Sequence, residues 1–518
     1  MAYRLQRVGG LLLARGALGG LGAVDEVALA LARIGEVFDR FRVSLFAGAT
    51  SGWEFDAVLL GPLWEDSRAG RRARPAIGAP SAYPHPGEAS RTGRVPGYRT
   101  AGARSCCSHG PMRILMTTRG SAGHVLPLAP FGHAALRRGH EVLVAAQRQH
   151  QGNVERAGLP VSPVEDPPAE EWMPMMEEFS QLRVDAANAR MIGDFFATID
   201  TRAALPGLRA IVDGWRPDVI VRESWEFAST LVAEAYGIPL ARVGLGLASV
   251  EELSIGLAAA AVDAARAGMG LPADPAGDRL RDSPYLTMVP EALEDPAAPT
   301  PRRIHRFGPG SRGAAPPLAD WWPGNDDPLV YVTFGSVTAG AHLPYFPALY
   351  RAAIDALAPL PVRLLVTTGD ARDHGELGPL PDNVHIERWV PQEAIATQAA
   401  AIVAHGGYGS TLGALAQGVP LVVLPLFSTD QWVNAAAVDR AGAGVALDAE
   451  RDTRPVLGLP GASVLAELPR AVRRVLEDDG YRRRARGIAA AIEALPPVDA
   501  AVDALEEISA EARTPARR

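Results

Sequence analysis

The sequence predicts an α/β protein built of two doubly wound, Rossmann-like domains that face each other across a cleft. Three observations predict it. Short apolar runs alternate with segments of helical spacing from Met112 to about residue 490. The alternation breaks at a Gly-, Pro- and Asp-rich stretch, GPGSRGAAPPLADWWPGNDDP, and then restarts. Residues able to do chemistry collect just past the ends of the apolar runs, where open parallel sheets bind ligands.

Residues 1–111 stand apart from this pattern. VDEVALALARIGEVFDRF, within 24–46, has the spacing of an amphipathic helix, whereas 67–111 is rich in Arg, Gly, Pro and Ser without period and reads as disordered. The expectation is that the folded protein begins at Met112, with 1–111 an appendage or the product of a wrongly chosen start.

The first domain is expected over 112–310. RILMTT (113–118) is a strand, RGSAGH (119–124) a glycine turn, VLPLAPFGHAALRRG (125–139) a helix closed by Gly139, and EVLVAA (141–146) the next strand. That βαβ unit makes the sheet parallel. PDVIVR (217–222), ESWEFASTLVAEAYG (223–237) and IPLARVG (238–244) form a second unit. Residues 311–328 read as a linker. The second domain, 329–495, has strands LVYVTF, VRLLVTT, VHIERWV, AAIVAH, PLVVLPL and AGVALD, and closes with an Arg-rich helical segment over 469–495. Residues 496–518 read as a frayed tail.

Bulk properties remove several function classes. The chain has 518 residues, 47% hydrophobic, with a formal charge of −8, which argues against a general nucleic-acid binder. All 51 basic residues are Arg, so lysine chemistry is excluded. The two cysteines are adjacent, Cys106 and Cys107, so neither a disulfide framework nor a thiolate metal site is expected. No apolar run reaches the roughly 20 residues of a membrane span, and Arg15 interrupts the apolar N-terminal patch. The expectation is a soluble, cytoplasmic protein. Its oligomeric state is left open.

The chemistry-bearing stretch with most information is AHGGYGSTLGALAQGVP, from Ala404. Glycines after a strand let an anion approach the main chain, and the following helix offers free N–H groups. Taken alone, HGGYGS is equally an ordinary tight turn. Its surroundings decide. The run WVPQEAIATQAAAIVAHGGYGSTLGALAQGVPLVVLPLFSTDQWVNA (389–435) resembles the nucleotide-sugar motif of the family-1 glycosyltransferases, and GSAGHVLPLAPFGHAALRRGHEV resembles the opening of the same family. The resemblance covers 112 to about 490.

It implies a GT-B fold with the active site between two Rossmann-like domains. Residue by residue, Trp389 would stack on the base, with Val390 and Gln392 near the nucleoside. His405, Gly407, Gly409 and Ser410 would hold the diphosphate, helped by Ser336. Asp430 and Gln431 would bind sugar hydroxyls. The core offers a plain alternative for Trp389, as the next helix does for Asn434. One departure concerns the donor. Where the family often carries Glu for the ribose hydroxyls, this chain has Gly413, which suits a TDP-sugar, while Asp430–Gln431 suits a hydroxyl-rich hexose. UDP and TDP both stay open.

The resemblance places the catalytic base at His124, and an imidazole, titrating near neutrality, suits removal of a hydroxyl proton. His133, His140 and His150 fit structural roles. The orienting acid is assigned to Glu223, one methylene longer than the family's Asp; an acid serving a helix N-terminus is the competing reading. The expected reaction is a single in-line displacement with inversion. No acidic DxD cluster occurs, so no metal and no cofactor beyond the nucleotide sugar is expected.

The acceptor is expected to be a small apolar hydroxyl compound such as a polyketide, sterol or phenol. EDPPAEEWMPMMEEFSQLRVDAANARMIGDFFATID (165–200), with its aromatics and four methionines, is either its pocket or a plain covering layer. Segment 247–280 is equally uninformative. Two other readings stay open: a GT-B relative such as a nucleotide-sugar epimerase, and a non-catalytic activator of a glycosyltransferase. An NAD dehydrogenase is disfavoured, because the first turn is GSAGH rather than G-x-G-x-x-G.

Overall fold

The computed structural model describes residues 110–310, 317–338, 343–369, 373–447 and 450–513, and in the N-terminal region the strands over 3–8, 11–18, 42–47 and 53–60. The chain forms two compact units, Met1–Ser105 and Cys106–Arg518.

In the first unit, β1 (Tyr3–Val8), β2 (Leu11–Leu18), β3 (Arg42–Ala47) and β4 (Trp53–Leu60) make an antiparallel sheet in the order β1-β2-β4-β3. The helix expected in VDEVALALARIGEVFDRF, residues 24–41, lies outside the described residues, and β3 begins directly after it. β3 and β4 pair antiparallel, with Val43 opposite Leu59 and Leu45 opposite Ala57. Residues 24–41 and 67–109 lie outside the described residues.

The second unit opens with a seven-stranded parallel sheet. Its strands are β5 (Arg113–Thr118), β6 (Glu141–Gln147), β7 (Val161–Val164), β8 (Val219–Glu223), β9 (Leu240–Val243), β10 (Tyr285–Thr287) and β11 (Ile304–Arg306), in the order β11-β10-β9-β8-β5-β6-β7. β5 is buried from Ile114 to Thr118, as a strand covered on both faces must be. The strands β7, β10 and β11 are only three or four residues long, too short for their periodicity to be read from sequence.

A second parallel sheet follows: β12 (Leu329–Thr333), β13 (Arg363–Thr367), β14 (Val384–Glu387), β15 (Ala399–Ala404), β16 (Leu421–Val423) and β17 (Gly444–Ala446), in the order β14-β13-β12-β15-β16-β17. In each sheet the strand order reverses beside the first strand of its domain. β5 lies between β6 and β8, and β12 between β13 and β15. These are the two switch points at which doubly wound sheets open a crevice.

Two findings correct the expected boundaries. Glu223 is the last residue of β8, paired with Val243, and the following helix begins only at Ala228, so Glu223 does not serve a helix N-terminus. The expected frayed tail is helical through Arg513. Val498 donates to the Gly308 carbonyl at 2.9 Å. Val502, Leu505 and Ile508 then enter the core formed by Ile114, Phe131 and Val221, so the chain finishes on the first domain after completing the second.

Candidate active site between two switch points

β5 ends at Thr118 and turns through Gly120, whose φ of 93° lies in the left-handed region. A Cβ there would stand 2.7 Å from that of His150, so the turn needs glycine twice over. The carbonyl of Ser121 accepts from the N–H groups of His124 and Val125 at 2.9 and 3.0 Å, opening the helix Ala122–Arg137 with His124 in its first turn.

His124 meets Glu223 across the switch point, Nδ1 to Oε1 at 2.8 Å. The carboxylate is sealed from solvent, while the imidazole is 14% exposed. Glu223 Oε1 also accepts from the Arg119 N–H at 3.2 Å, and Oε2 accepts from the Trp225 N–H at 2.6 Å. Burial alone would raise the Glu223 pKa. The charge and hydrogen bond of His124 and the two main-chain donors together hold it below the usual value. An ionised carboxylate only accepts, so His124 Nδ1 carries a proton, and in the neutral ring Nε2 is the acceptor.

The neighbouring acid does other work. Glu226 is buried, accepts from Thr117 Oγ1 at 2.6 Å and from the Ser229 N–H at 3.1 Å, and burial pushes its pKa up. His133 bonds the Ala157 carbonyl at 2.7 Å, and His140 Nδ1 accepts from the Met112 N–H at 3.1 Å, both structural roles.

The second switch point brings β12 and β15 together. Gly335 and Ser336 follow β12, and His405 follows β15. The imidazole is held between two glycines: a Cβ on Gly335 would lie 2.7 Å from its Cε1, and one on Gly407 2.5 Å from its Nε2. Its Nδ1 is sealed without a hydrogen-bond partner. Burial holds His405 down to about 4, against the opposing pull of the Thr333 carbonyl, so it is neutral at pH 7.

Gly406 has a φ of 85°, and its carbonyl is pinned by Asn434 Nδ2 at 2.8 Å. Asn434 thus fixes the loop that leads into the helix Tyr408–Leu415, whose start has no side-chain cap. Gly409 is exposed and Ser410 half-buried at this end. The free N–H groups of a first turn suit an anion.

Around this loop, Trp389 is 60% exposed, as a stacking platform requires, whereas the Val390 side chain is buried in the core. Gln392 Nε2 donates to the Ser410 carbonyl at 3.2 Å and lies across Gly413, where a Cβ would stand 2.4 Å from it. Asp430 is buried beside Ser428 Oγ, and burial raises its pKa. Gln431 Oε1 is committed to the main-chain N–H groups of Leu426 and Phe427, at 2.8 and 3.1 Å, so only its Nε2 is left to meet a ligand.

The two domains join beside Asp430. Asn188, on the helix Val184–Arg190, donates to the Phe427 carbonyl at 3.1 Å and accepts from the Thr429 N–H at 3.2 Å. The Val456 N–H donates to the Leu182 carbonyl at 2.7 Å. Sequence reasoning missed Asn188, and also Arg119 and Trp225 beside the dyad. Arg119 directly follows a strand, a position that could have flagged it. Asn188 carries no such mark, because its partner lies some 240 residues away.

The sequence matches the family profile described as the erythromycin biosynthesis protein CIII-like N-terminal domain over residues 134–282, and the corresponding C-terminal domain over 351–508. It is 33% identical to L-demethylnoviosyl transferase of Streptomyces niveus over 398 residues, 74% of this chain and 100% of that protein. It is 30% identical to 4'-demethylrebeccamycin synthase of Lentzea aerocolonigenes, across 76% and 99% of the two chains. The fold superposes on the crystal structure of the glycotransferase of kitacinnamycin with a TM-score of 0.59, at 26% identity, covering 77% of this chain and 99% of that one. With a GT-B architecture and a relative matched over its whole length, the chain is a glycosyltransferase and belongs to the family-1 glycosyltransferases.

Proposed function

We propose that the protein transfers a hexose or deoxyhexose, with inversion, from a UDP- or TDP-sugar to a hydroxyl of a small apolar natural product such as a polyketide, sterol or phenol. The observation that carries this is the His124–Glu223 pair at one switch point, with the His405 loop at the other. His124 Nε2 takes the acceptor proton while the hydroxyl oxygen attacks the anomeric carbon. The nucleoside diphosphate leaves from the opposite face. Its growing charge is met by the first-turn N–H groups of Tyr408–Leu415 and by a neutral His405 donating one N–H. Trp389 stacks on the base, Ser336 and Ser410 add hydroxyl donors, and Asp430 with Gln431 Nε2 takes sugar hydroxyls.

Relatives named L-demethylnoviosyl transferase and elloramycin glycosyltransferase support transfer to a natural-product acceptor. The intact dyad, with its buried acid braced by two main-chain N–H groups, favours a catalyst over a non-catalytic activator. No divalent ion enters the mechanism, and a chelator is expected to leave turnover unchanged. The deciding experiment is a screen of UDP- and TDP-sugars against an aglycone library, read by mass spectrometry. A glycosylated product with inverted anomeric configuration supports the proposal. Conversion of the nucleotide sugar without acceptor would favour the epimerase reading instead.

A further inference from the structure

Beside His124, the cleft carries a second set of groups that proton transfer does not use. Arg119 has a side chain only 11% exposed. Its Nε is ion-paired with Asp200 Oδ2, and Asp200 Oδ1 accepts in turn from Gln147. Its guanidinium carbon lies 3.6 Å above the ring of Phe196 and 4.9 Å from that of Phe195. The cation–ring contact and the ion pair together hold the guanidinium in place. Nη1 and Nη2 meet no acceptor among the described residues, yet they are not sealed from solvent.

The main chain of Arg119 is tied to the base as well. The same Glu223 Oε1 takes the Arg119 main-chain N–H and His124 Nδ1.

The wall around these groups is aromatic. Ring centroids run from Trp172 to Phe195 at 6.1 Å, Phe195 to Phe196 at 5.7 Å, Phe196 to Trp225 at 6.0 Å and Trp225 to His124 at 5.3 Å. Phe196 stands edge-on to His124 at 6.5 Å. Trp225 is held by its Nε1 donating to Ser254 Oγ at 2.9 Å. Phe195, Phe196 and Asp200 all sit on the π-helical run Met191–Asp200. Such runs are rare and occur mostly as single turns, frequently at functional sites.

We infer that the acceptor is a flat aromatic hydroxyl compound with a hydrogen-bond-accepting oxygen beside the reacting hydroxyl, as in hydroxyaryl ketones and hydroxyquinones, and that Arg119 grips that oxygen. The inference rests on the transferase reading above. Aromatic faces stack on the ring wall. A saturated alcohol would leave the two Nη groups unmet when it displaced their water, which costs affinity. The planar fork matches an oxygen lying in the plane of the acceptor ring. Arg119 is therefore a specificity-determining residue.

The test measures binding, without turnover, on the full chain. Three probes are titrated by calorimetry and by quenching of tryptophan fluorescence: 2-acetyl-1-naphthol, 1-naphthol and decahydro-1-naphthol. The ketone is expected to bind about tenfold more tightly than naphthol, and the saturated alcohol most weakly. Arg119→Lys keeps the charge and loses the fork. It should bring the ketone-to-naphthol ratio near one while leaving naphthol and nucleoside diphosphate affinities within about twofold.

Phe196→Leu is an independent second variant that should weaken both aromatic probes relative to the saturated one. Equal binding of ketone and naphthol by the unaltered protein, preference for the saturated alcohol, or equal loss of all three probes in Arg119→Lys would overturn the inference. Failure of the transferase reading is separate: it would be absence of sugar transfer to any acceptor, which these binding ratios do not require.

Discussion

Glu223 Oε1 lies 2.8 Å from His124 Nδ1, although the two residues are 99 positions apart and sit at the ends of different units of one sheet. They meet because β5 and β8 are neighbours across the switch point, in register from Ile114 opposite Val219 to Thr117 opposite Arg222. The longer acid is accommodated because it ends a strand and is braced by the Arg119 and Trp225 N–H groups. A Glu can thus stand where the family more often has Asp.

Glu223→Gln is expected to lower kcat roughly 10²–10⁴-fold, because the amide no longer enforces the Nδ1–H tautomer or balances the imidazolium. His124→Ala should be as severe. Both should leave nucleoside diphosphate affinity nearly intact, since they lie on the other domain. Steady-state kinetics beside calorimetry with UDP and TDP checks both halves; retained turnover in His124→Ala would sink the assignment.

Nucleotide preference is expected to favour TDP, or to be even. Gly413 has no side chain for ribose hydroxyls, and Gln392 already fills the space above it. Calorimetry decides, and clearly tighter UDP binding rejects the idea. Gly413→Ala should weaken binding of both nucleotides, because the new methyl displaces Gln392 from the Ser410 carbonyl.

Acid should destabilise the second domain through His405, against the opposing effect of Asp430, whose burial raises its pKa. His405 is held down to about 4 in the fold, against ~6.5 in an unfolded chain. The unfolded state binds the extra proton, so stability falls as pH drops from ~6.5 towards 4, by roughly 2–3 kcal/mol at most, since the residue is only half-buried. Glu223 behaves differently. Its depressed pKa adds stability above ~4.5, which is lost only as pH falls further, through its folded value. Urea unfolding between pH 4 and 7 should show the first slope, and His405→Asn should flatten it.

Removal of residues 496–518 should unfold the first domain although it cuts the chain after the second. Val502, Leu505 and Ile508 are buried in the first domain's core, at ~1.5–3 kcal/mol each. A protein starting at Met112, by contrast, is expected to fold and keep activity, because the first 105 residues form a separate unit. Circular dichroism and turnover of the two truncations give opposite outcomes if both expectations hold.

Much of this protein is determined locally. The β5–turn–helix unit, the glycine loop after β15 and the positions of His124, His405 and Asp430 follow from strand periodicity, helix starts and glycine placement over ten or twenty residues. Those rules act on neighbours, so sequence alone states them, and the motif from Trp389 to Ala435 carries the family with them. Tertiary structure decided what depends on distant pairing. It made Glu223 a strand end rather than a helix-capping acid and turned the expected tail into part of the first core. It committed Gln431 Oε1 to the main chain and set the Arg119 guanidinium over Phe196. Each outcome rests on contacts whose partners are chosen by sheet order and burial, and no local propensity encodes them.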